Sequence, residues 1–486
     1  MAPFTEAQRA QLRERGISED DAIRQLAQIA APSAAVDVVR PCRLEDGIET
    51  VPADRQEALI LLHEEAASQG RCSKLVPASG AATRTFQDVL TGRGVTALVE
   101  GLDGFAFADN LRAELAFRGY DMDVLRGAGS EAEIVDALLG ADGLGYATIP
   151  KGLLPFHRYA SGVRTAFEEH LVEAAATVRD ADRRCRVFFT VAPDHVHMFR
   201  LHAERTVPAY ERALGVRFEV MFSPQRASTD TVAGTPSGAP FVADDGLLVL
   251  RPSGHGALLA NLAETGGDLV FVKNIDNVQS DTNRADTIRW KKILGGRLVE
   301  LQRAVFLHVA RLASVPVSPI FAAEAAAFAR TAFGIEAEGT ALVTALSRPL
   351  RVCGVVRNTG EPGGGPYWVR GRDGRITRQI VEMAQFAMAS DSQRAAVLNA
   401  THFNPVDLAL GLRDVEGQAF DLRAFVDPAA ALVVAKSFQG RELLALERPG
   451  LWNGAMAHWL TIFVEVPNST FTPVKTVMDL LRPEHQ

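Results

Sequence analysis

Three short segments carry residue types that could hold a phosphorylated ligand, and each follows an apolar run. The first is Pro77-Ala78-Ser79-Gly80-Ala81-Ala82-Thr83-Arg84, a loop of small residues between a strand-like run and a helical period. Its backbone amides can approach a ligand closely, and at a helix amino terminus they and the helix dipole favour phosphate. Arg84 would add a charge. The same residues suit a tight strand-to-helix turn equally well, and the loop matches neither GxxxxGK[ST] nor GxGxxG. The second is Arg251-Pro252-Ser253-Gly254-His255-Gly256-Ala257, after DGLLVL, where a histidine that can donate hydrogen bonds lies between two glycines. A structural turn histidine is the plainer use. The third is Phe271-Val272-Lys273-Asn274-Ile275-Asp276-Asn277, in which an apolar run ends in an amide, a carboxylate and an amide. A carboxylate at the carboxyl end of a strand is well placed for Mg2+, which keeps most other ligands as water and phosphate. An Asx turn would use the same residues.

The elements that must position these segments are legible in outline. Residues 1–70 read as a helical cap: TEAQRAQLRERG ends on Gly16, SEDDAIRQLAQIA starts on a Ser18 cap, and ADRQEALILLHEEAASQG ends on Gly70. A core of alternating strands and helices is expected over 71–400, interrupted by a helical insertion at about 87–145. RVFFTVA, HMFRLHAERTVPAYERALG, VRFEVMFS, DGLLVLR, HGALLANLAE and GDLVFVKNI alternate strand and helix patterns, as in βα units. Ligands of such sheets bind at the carboxyl ends of the strands. GRLVELQRAVFLHVARLA and AAEAAAFARTAFG read as helices, RVCGVVRN and PYWVRGRDGRITRQIVEMAQF as strands. The stretch 401–486 reads as a small α+β region ending in the helix-like VKTVMDLLR. The fold class expected is α/β, a Rossmann-like mixed sheet flanked by helices.

Composition narrows the partners. Of 486 residues 47% are hydrophobic and 23% charged, enough for a large core. A net charge of -8 supplies no basic field for a nucleic acid. Cys42, Cys72, Cys185 and Cys353 lack CxxC spacing, which fits reduced thiols in a cytoplasm. No segment approaches the apolar length of a membrane span. His157, His170, His195 and His197 share no metal-ligand spacing, so surface or core roles are expected.

The order of the three segments resembles the UDP-sugar pyrophosphorylases, with their GG-x-GTR-like loop, P-x-G-N/H-G segment and N/D-x-D-N strand end. FFTVAPDHVHMF is similar to that class's strand and helix before Phe222-Ser223-Pro224-Gln225, which looks like its F-x-Q. CGVVRN and Gln379-Ile380-Val381-Glu382 look like its V-G-V-V and V-V-E-Y. Phe471-Thr472-Pro473-Val474-Lys475-Thr476 with Asp479-Leu480-Leu481 is close to F-x-P-V-K-T-x-x-D-L-L. HFNPVDLALG, GRELLALERPGLWNGAMA and GEPGGGP look more specifically like a bacterial domain-of-unknown-function branch. The P-K-G lysine that follows the loop in better-known members is missing there, and Pro150-Lys151-Gly152 stands after the insertion instead.

The resemblance implies a Mg2+-dependent transfer between UTP and a sugar 1-phosphate, giving a UDP-sugar and pyrophosphate. Arg84, Lys151 and Lys475 would supply positive charge, and Asp276 a metal ligand. Ala78, Ser79, Gly80 and Ala81 would cradle the nucleotide phosphates, with Gln225, Gly254, His255 and Gly256 at the uracil. Asn274, Glu382 and Asn404 would hold sugar hydroxyls, since carboxylates and amides together accept from and donate to a diol. A nucleotide-sugar glycosyltransferase would share the sheet and the strand-end aspartate. A catalytically silent nucleotide-sugar sensor is favoured if Lys151 lies far from Gly80. The sequence leaves the oligomeric state open.

Overall fold

A computed structural model describes residues 4–31, 35–314, 317–360 and 363–486. The architecture is α/β with mixed sheet pairing, and the chain divides into two compact units.

The first unit comprises Glu57–Pro224, Val270–Gly296 and Val466–Gln486. Its strands run in the order Leu269–Lys273, Cys72–Pro77, Arg184–Val191, Arg217–Pro224, and the last three pair in parallel. Strands covered on both faces read as continuous apolar runs, as KLVP, RVFFTV and LVFVK do. The helix Val196–Leu214 links the last two parallel strands and stops at Gly215, whose φ of 62° is left-handed. Phe167, Phe189, Phe199 and Phe222 pack together with ring centroids 4.7–6.5 Å apart. The helix Ala166–Thr177 is capped reciprocally by Thr165 and Glu168. It is buried almost throughout and carries Glu169, His170 and Glu173 into the interior.

Between the strand at 72–77 and Lys151 lie five short α-helices from Gln87 to Leu139. Phe86, Phe105, Phe107 and Leu111 give them a core of their own. The small-residue loop does not open a long helix. It runs into a three-residue turn, Ala82–Arg84, and the one-turn helix Gln87–Leu90. The expected helix dipole is therefore absent there, because too few peptide units are aligned. VKTVMDLLR likewise forms a 3-10 helix, Val477–Leu481.

The second unit comprises Met1–Gln56, Gln225–Leu269 and Arg297–Glu465. Its largest sheet runs Arg43–Leu44, Gly47–Glu49, Leu460–Glu465, Leu350–Arg357, His402–Gly411, parallel except for the last pair. Asp37–Pro41, Gly365–Arg370 and Ile376–Val381 make a separate antiparallel sheet. The two amino-terminal helices, Glu6–Arg15 and Glu19–Ala30, set Leu12, Ile17, Leu26 and Ile29 against Val232, Leu248 and Leu446. DGLLVLR contributes only Leu250–Arg251 to a two-residue ladder with Thr231–Val232. HFNPVDLALG is a fully buried ten-residue strand. No helix among the described residues is long and apolar enough to cross a membrane.

Candidate functional site

The loop after the strand 72–77 is open where a ligand would need it. The amides of Ala78 and Ala82 donate to Thr190 and Ile149 carbonyls. Those of Ser79, Gly80 and Ala81 form no hydrogen bond among the described residues. A Cβ added at Gly80 would meet nothing within 4 Å. Arg84 is exposed beside them.

Lys151 returns directly to this loop. Its backbone amide donates to the Gly80 carbonyl at 3.0 Å, and Ala81 and Pro150 form an antiparallel bridge. The helices of residues 87–139 therefore leave and re-enter the site at one place. Lys151 Nζ donates to Asp276 Oδ2 at 2.8 Å, and Lys475 Nζ donates to the same oxygen at 3.1 Å. Asp276 Oδ1 is buried and has no partner. Burial alone would raise the Asp276 pKa, but the two ammonium groups bring it below its ordinary value. Burial lowers that of Lys151, and Asp276 opposes the shift.

Lys475 reaches Asp276 from a segment with little regular structure. Val474 donates to the Asp276 carbonyl, Asn277 bridges Pro473, and Asn277 Oδ1 accepts from the Thr472 amide at 3.1 Å. Asp479 Oδ2 accepts from the amides of both Lys475 and Thr476 at 2.7 Å. Asn274 follows the strand Leu269–Lys273, and its carbonyl faces His170 Nε2 at 3.2 Å.

Beneath these residues lies a polar layer that sequence reasoning missed. Glu173 faces Lys74 and Lys273 at 2.8 Å each, and Lys291 at 3.9 Å, all four fully buried. Burial pushes Lys74 down to about 7, against the pull of Glu173. The signal was available: a lysine inside each of two buried strand runs, KLVP and FVK, demands an interior carboxylate. His157 and His170 are core residues, and His157 lies 2.8 Å from both Glu169 and His485. His195 and His197 lie towards the surface. The described residues contain no group of three or more His, Cys, Asp or Glu able to hold a metal. The four cysteines are buried, and none of them forms a disulfide among the described residues.

The second unit gathers His255, Trp452 and Glu382. Trp452 Nε1 donates to Glu382 Oε1 at 3.0 Å, and His255 Nε2 lies 3.4 Å from that oxygen. His255 Nδ1 accepts from the Leu451 amide, so Nε2 carries the proton and points at the carboxylate. The two rings stack at 4.1 Å. Burial would raise the Glu382 pKa, but His255 and Trp452 hold it below its ordinary value. Gln385 Oε1 accepts from the Glu382 amide and from Asn453 Nδ2.

The glycines flanking His255 are occupied by the chain itself. A Cβ at Gly256 would lie 2.3 Å from the Pro449 carbonyl, and Gly254 has a φ of +73° beside Glu447. The close backbone approach expected of a ligand is made there by residues 447–449. Asn404 is similarly committed: its Nδ2 donates to the Gly354 carbonyl and its Oδ1 accepts from the Val406 amide. That amide stabilises the irregularity where Val406 takes a φ of 58°, so each end already bonds within the fold. Gln225 follows the strand Arg217–Pro224 with its side-chain nitrogen buried and unpartnered.

Among solved structures the chain is similar to a uridine diphosphate N-acetylglucosamine pyrophosphorylase from Trypanosoma brucei, crystallised with an inhibitor. Identity is 14% and the TM-score 0.50, over 98% of this chain and 79% of that one. It is also similar to a UDP-glucose phosphorylase from Trypanosoma brucei, at 13% identity and TM-score 0.48, covering 98% and 77%. A variant UDP-glucose pyrophosphorylase from Leishmania major in complex with UDP-glucose gives 13% and 0.47, covering 99% and 79%. No curated protein matches the chain. The first likeness shows a shared fold. The profile of one family, Domain of unknown function (DUF4301), matches residues 5–486, and the chain belongs to that family.

Proposed function

We propose that this protein is a nucleotidyltransferase that joins a sugar 1-phosphate to UTP, releasing pyrophosphate. One observation carries the reading: Lys151 and Lys475 converge on one oxygen of Asp276 beside a loop with three uncommitted amides. In the reaction an oxygen of the sugar phosphate attacks the α-phosphorus of UTP. The bond to the bridging oxygen breaks, and its electron pair leaves with pyrophosphate. Such transfers need positioning and charge stabilisation more than an acid or base. Lys151 and Arg84 would offset charge on the nucleotide phosphates, and Lys475 on the incoming sugar phosphate.

Asp276 fits Mg2+ through Oδ1, a buried acceptor lacking a donor. A single carboxylate suits an ion that fills its other positions with water and phosphate. Magnesium would supply further neutralisation of phosphate charge when bound. Gln225 and His255 are the candidates for the uracil edge, and Glu382 and Asn274 for sugar hydroxyls, by the motif resemblance.

The test is pyrophosphate release with Mg2+ across four nucleoside triphosphates and a panel of sugar 1-phosphates. Release with UTP and one sugar, abolished by Asp276→Ala and by Lys475→Ala, is expected. Tight UTP or UDP-sugar binding without release from any pair would overturn the reading in favour of a sensor or a glycosyltransferase.

A further inference from the structure

The segment that delivers Lys475 forms only a short 3-10 turn, Asn468–Thr470, before the lysine. It is docked onto residues 276–279 by a few bonds: Val474 and Thr472 Oγ1 donate to the Asp276 and Val278 carbonyls, and two buried side chains add further contacts. Asn277 Oδ1 accepts from the Thr472 amide, and Gln279 Nε2 donates to the Thr470 carbonyl at 3.0 Å. Both side chains are 1% exposed.

The orientation of the Gln279 amide is forced from below. Lys273 Nζ lies 3.3 Å from Gln279 Oε1, and an ammonium group can only donate, so the oxygen must face the lysine. The amide nitrogen is thereby turned to Thr470 and to Asn277 Oδ1, 3.4 Å away. Lys273 is fixed in turn by Glu173 Oε2 at 2.8 Å. A chain of buried polar contacts thus runs from Glu173 through Lys273 and Gln279 to the backbone that carries Lys475.

We propose that Gln279, oriented by the Glu173–Lys273 pair, is a positioning residue that seats the Thr470–Lys475 segment and thereby sets the place of the Lys475 ammonium group. The part of this that concerns turnover rests on the function proposed above; the part that concerns the segment does not. Gln279 acts through Lys475 and not on a ligand. The layer of lysines around Glu173 then has a use beyond packing, because it gives an otherwise reversible amide a single orientation.

The experiment compares Gln279→Met, close in length and volume, and Gln279→Glu with the unaltered full-length chain. Amide hydrogen exchange of the 470–476 segment is read first and needs no activity. Both variants are expected to speed exchange at Thr472 and Val474 while the strands 72–77 and 184–191 keep their protection. Given turnover, kcat is expected to fall roughly 10- to 100-fold, as for a misplaced group, with the KM for UTP unchanged. Unchanged exchange at 472–474 would overturn the proposal, as would a kcat equal to that of the unaltered chain. Failure of both variants to fold would overturn it too, since Gln279 would then be a requirement of the core. A chain that makes no pyrophosphate with any substrate would sink the functional reading but leave the exchange result to decide this one.

Discussion

Lys151 Nζ donates to Asp276 Oδ2 at 2.8 Å, joining side chains 125 positions apart in the chain. Lys475 meets the same oxygen, but the two lysines differ in surroundings: the Lys151 side chain is 12% exposed and that of Lys475 58%. An exposed pair contributes about 0–1 kcal/mol, whereas removing one partner of a buried pair costs about 3–5 kcal/mol. Lys475→Ala is therefore expected to abolish pyrophosphate release with almost no change in the urea midpoint. Asp276→Ala should lose both activity and stability. Equal stability losses in the two variants would contradict this asymmetry.

Two glycines of the motif segments should respond oppositely. Gly80→Ala adds a Cβ into open space, so thermal stability is expected to hold while UTP affinity, read by calorimetry, weakens. Gly256→Ala drives a Cβ onto the Pro449 carbonyl and should destabilise the fold by a few kcal/mol, in the range of other overpacked sites. A stable Gly256→Ala protein would show that residues 447–449 can move aside.

Asn404→Ala tests whether that amide serves the strand or a sugar. Both of its ends bond within the fold, and leaving such buried partners unsatisfied costs about 1–3 kcal/mol each. Lower stability with an unchanged KM for the sugar 1-phosphate is expected. Glu382→Gln should do the reverse, raising that KM while the unfolding midpoint moves little.

Acid should weaken the fold through His63. Burial pushes this histidine down to about 4 from 6.5, against the opposing pull of the Thr177 carbonyl, which accepts from its Nε2 at 2.8 Å. Between those values the unfolded chain binds more protons than the folded one, so stability falls as pH drops from 6.5 towards 4. A shift of that size corresponds to on the order of 3 kcal/mol at its full extent. Urea midpoints at a series of pH values check it, and His63→Gln should flatten the acid limb.

The parallel strands were legible because each is a short apolar run of period-free burial, and the motif resemblance singled out Lys475 and Asp276, two side chains that meet in the structure. DGLLVLR misled because its apolar side chains bury against the amino-terminal helices instead of within a long sheet. The helix after the small-residue loop was overread, since TFQDVL has helical composition but only one turn of it is realised. Pairings such as Glu382 with Trp452 had no local signature. They join residues whose separation is set by tertiary packing, and periodicity carries no information about that. Lys74 and Glu173 could have been suspected, because a charge within a buried run has to find its opposite elsewhere.

Because Ala81 and Pro150 are bridged side by side, the place of Lys151 in space is independent of how many residues precede it. Closing a loop twice as long costs only about 0.6 kcal/mol more, so the excursion between the two can lengthen or shrink across descendants without disturbing the pair. Counting a few positions outward from Gly80 misses that lysine, whereas looking for the residue whose backbone closes onto Gly80 finds it.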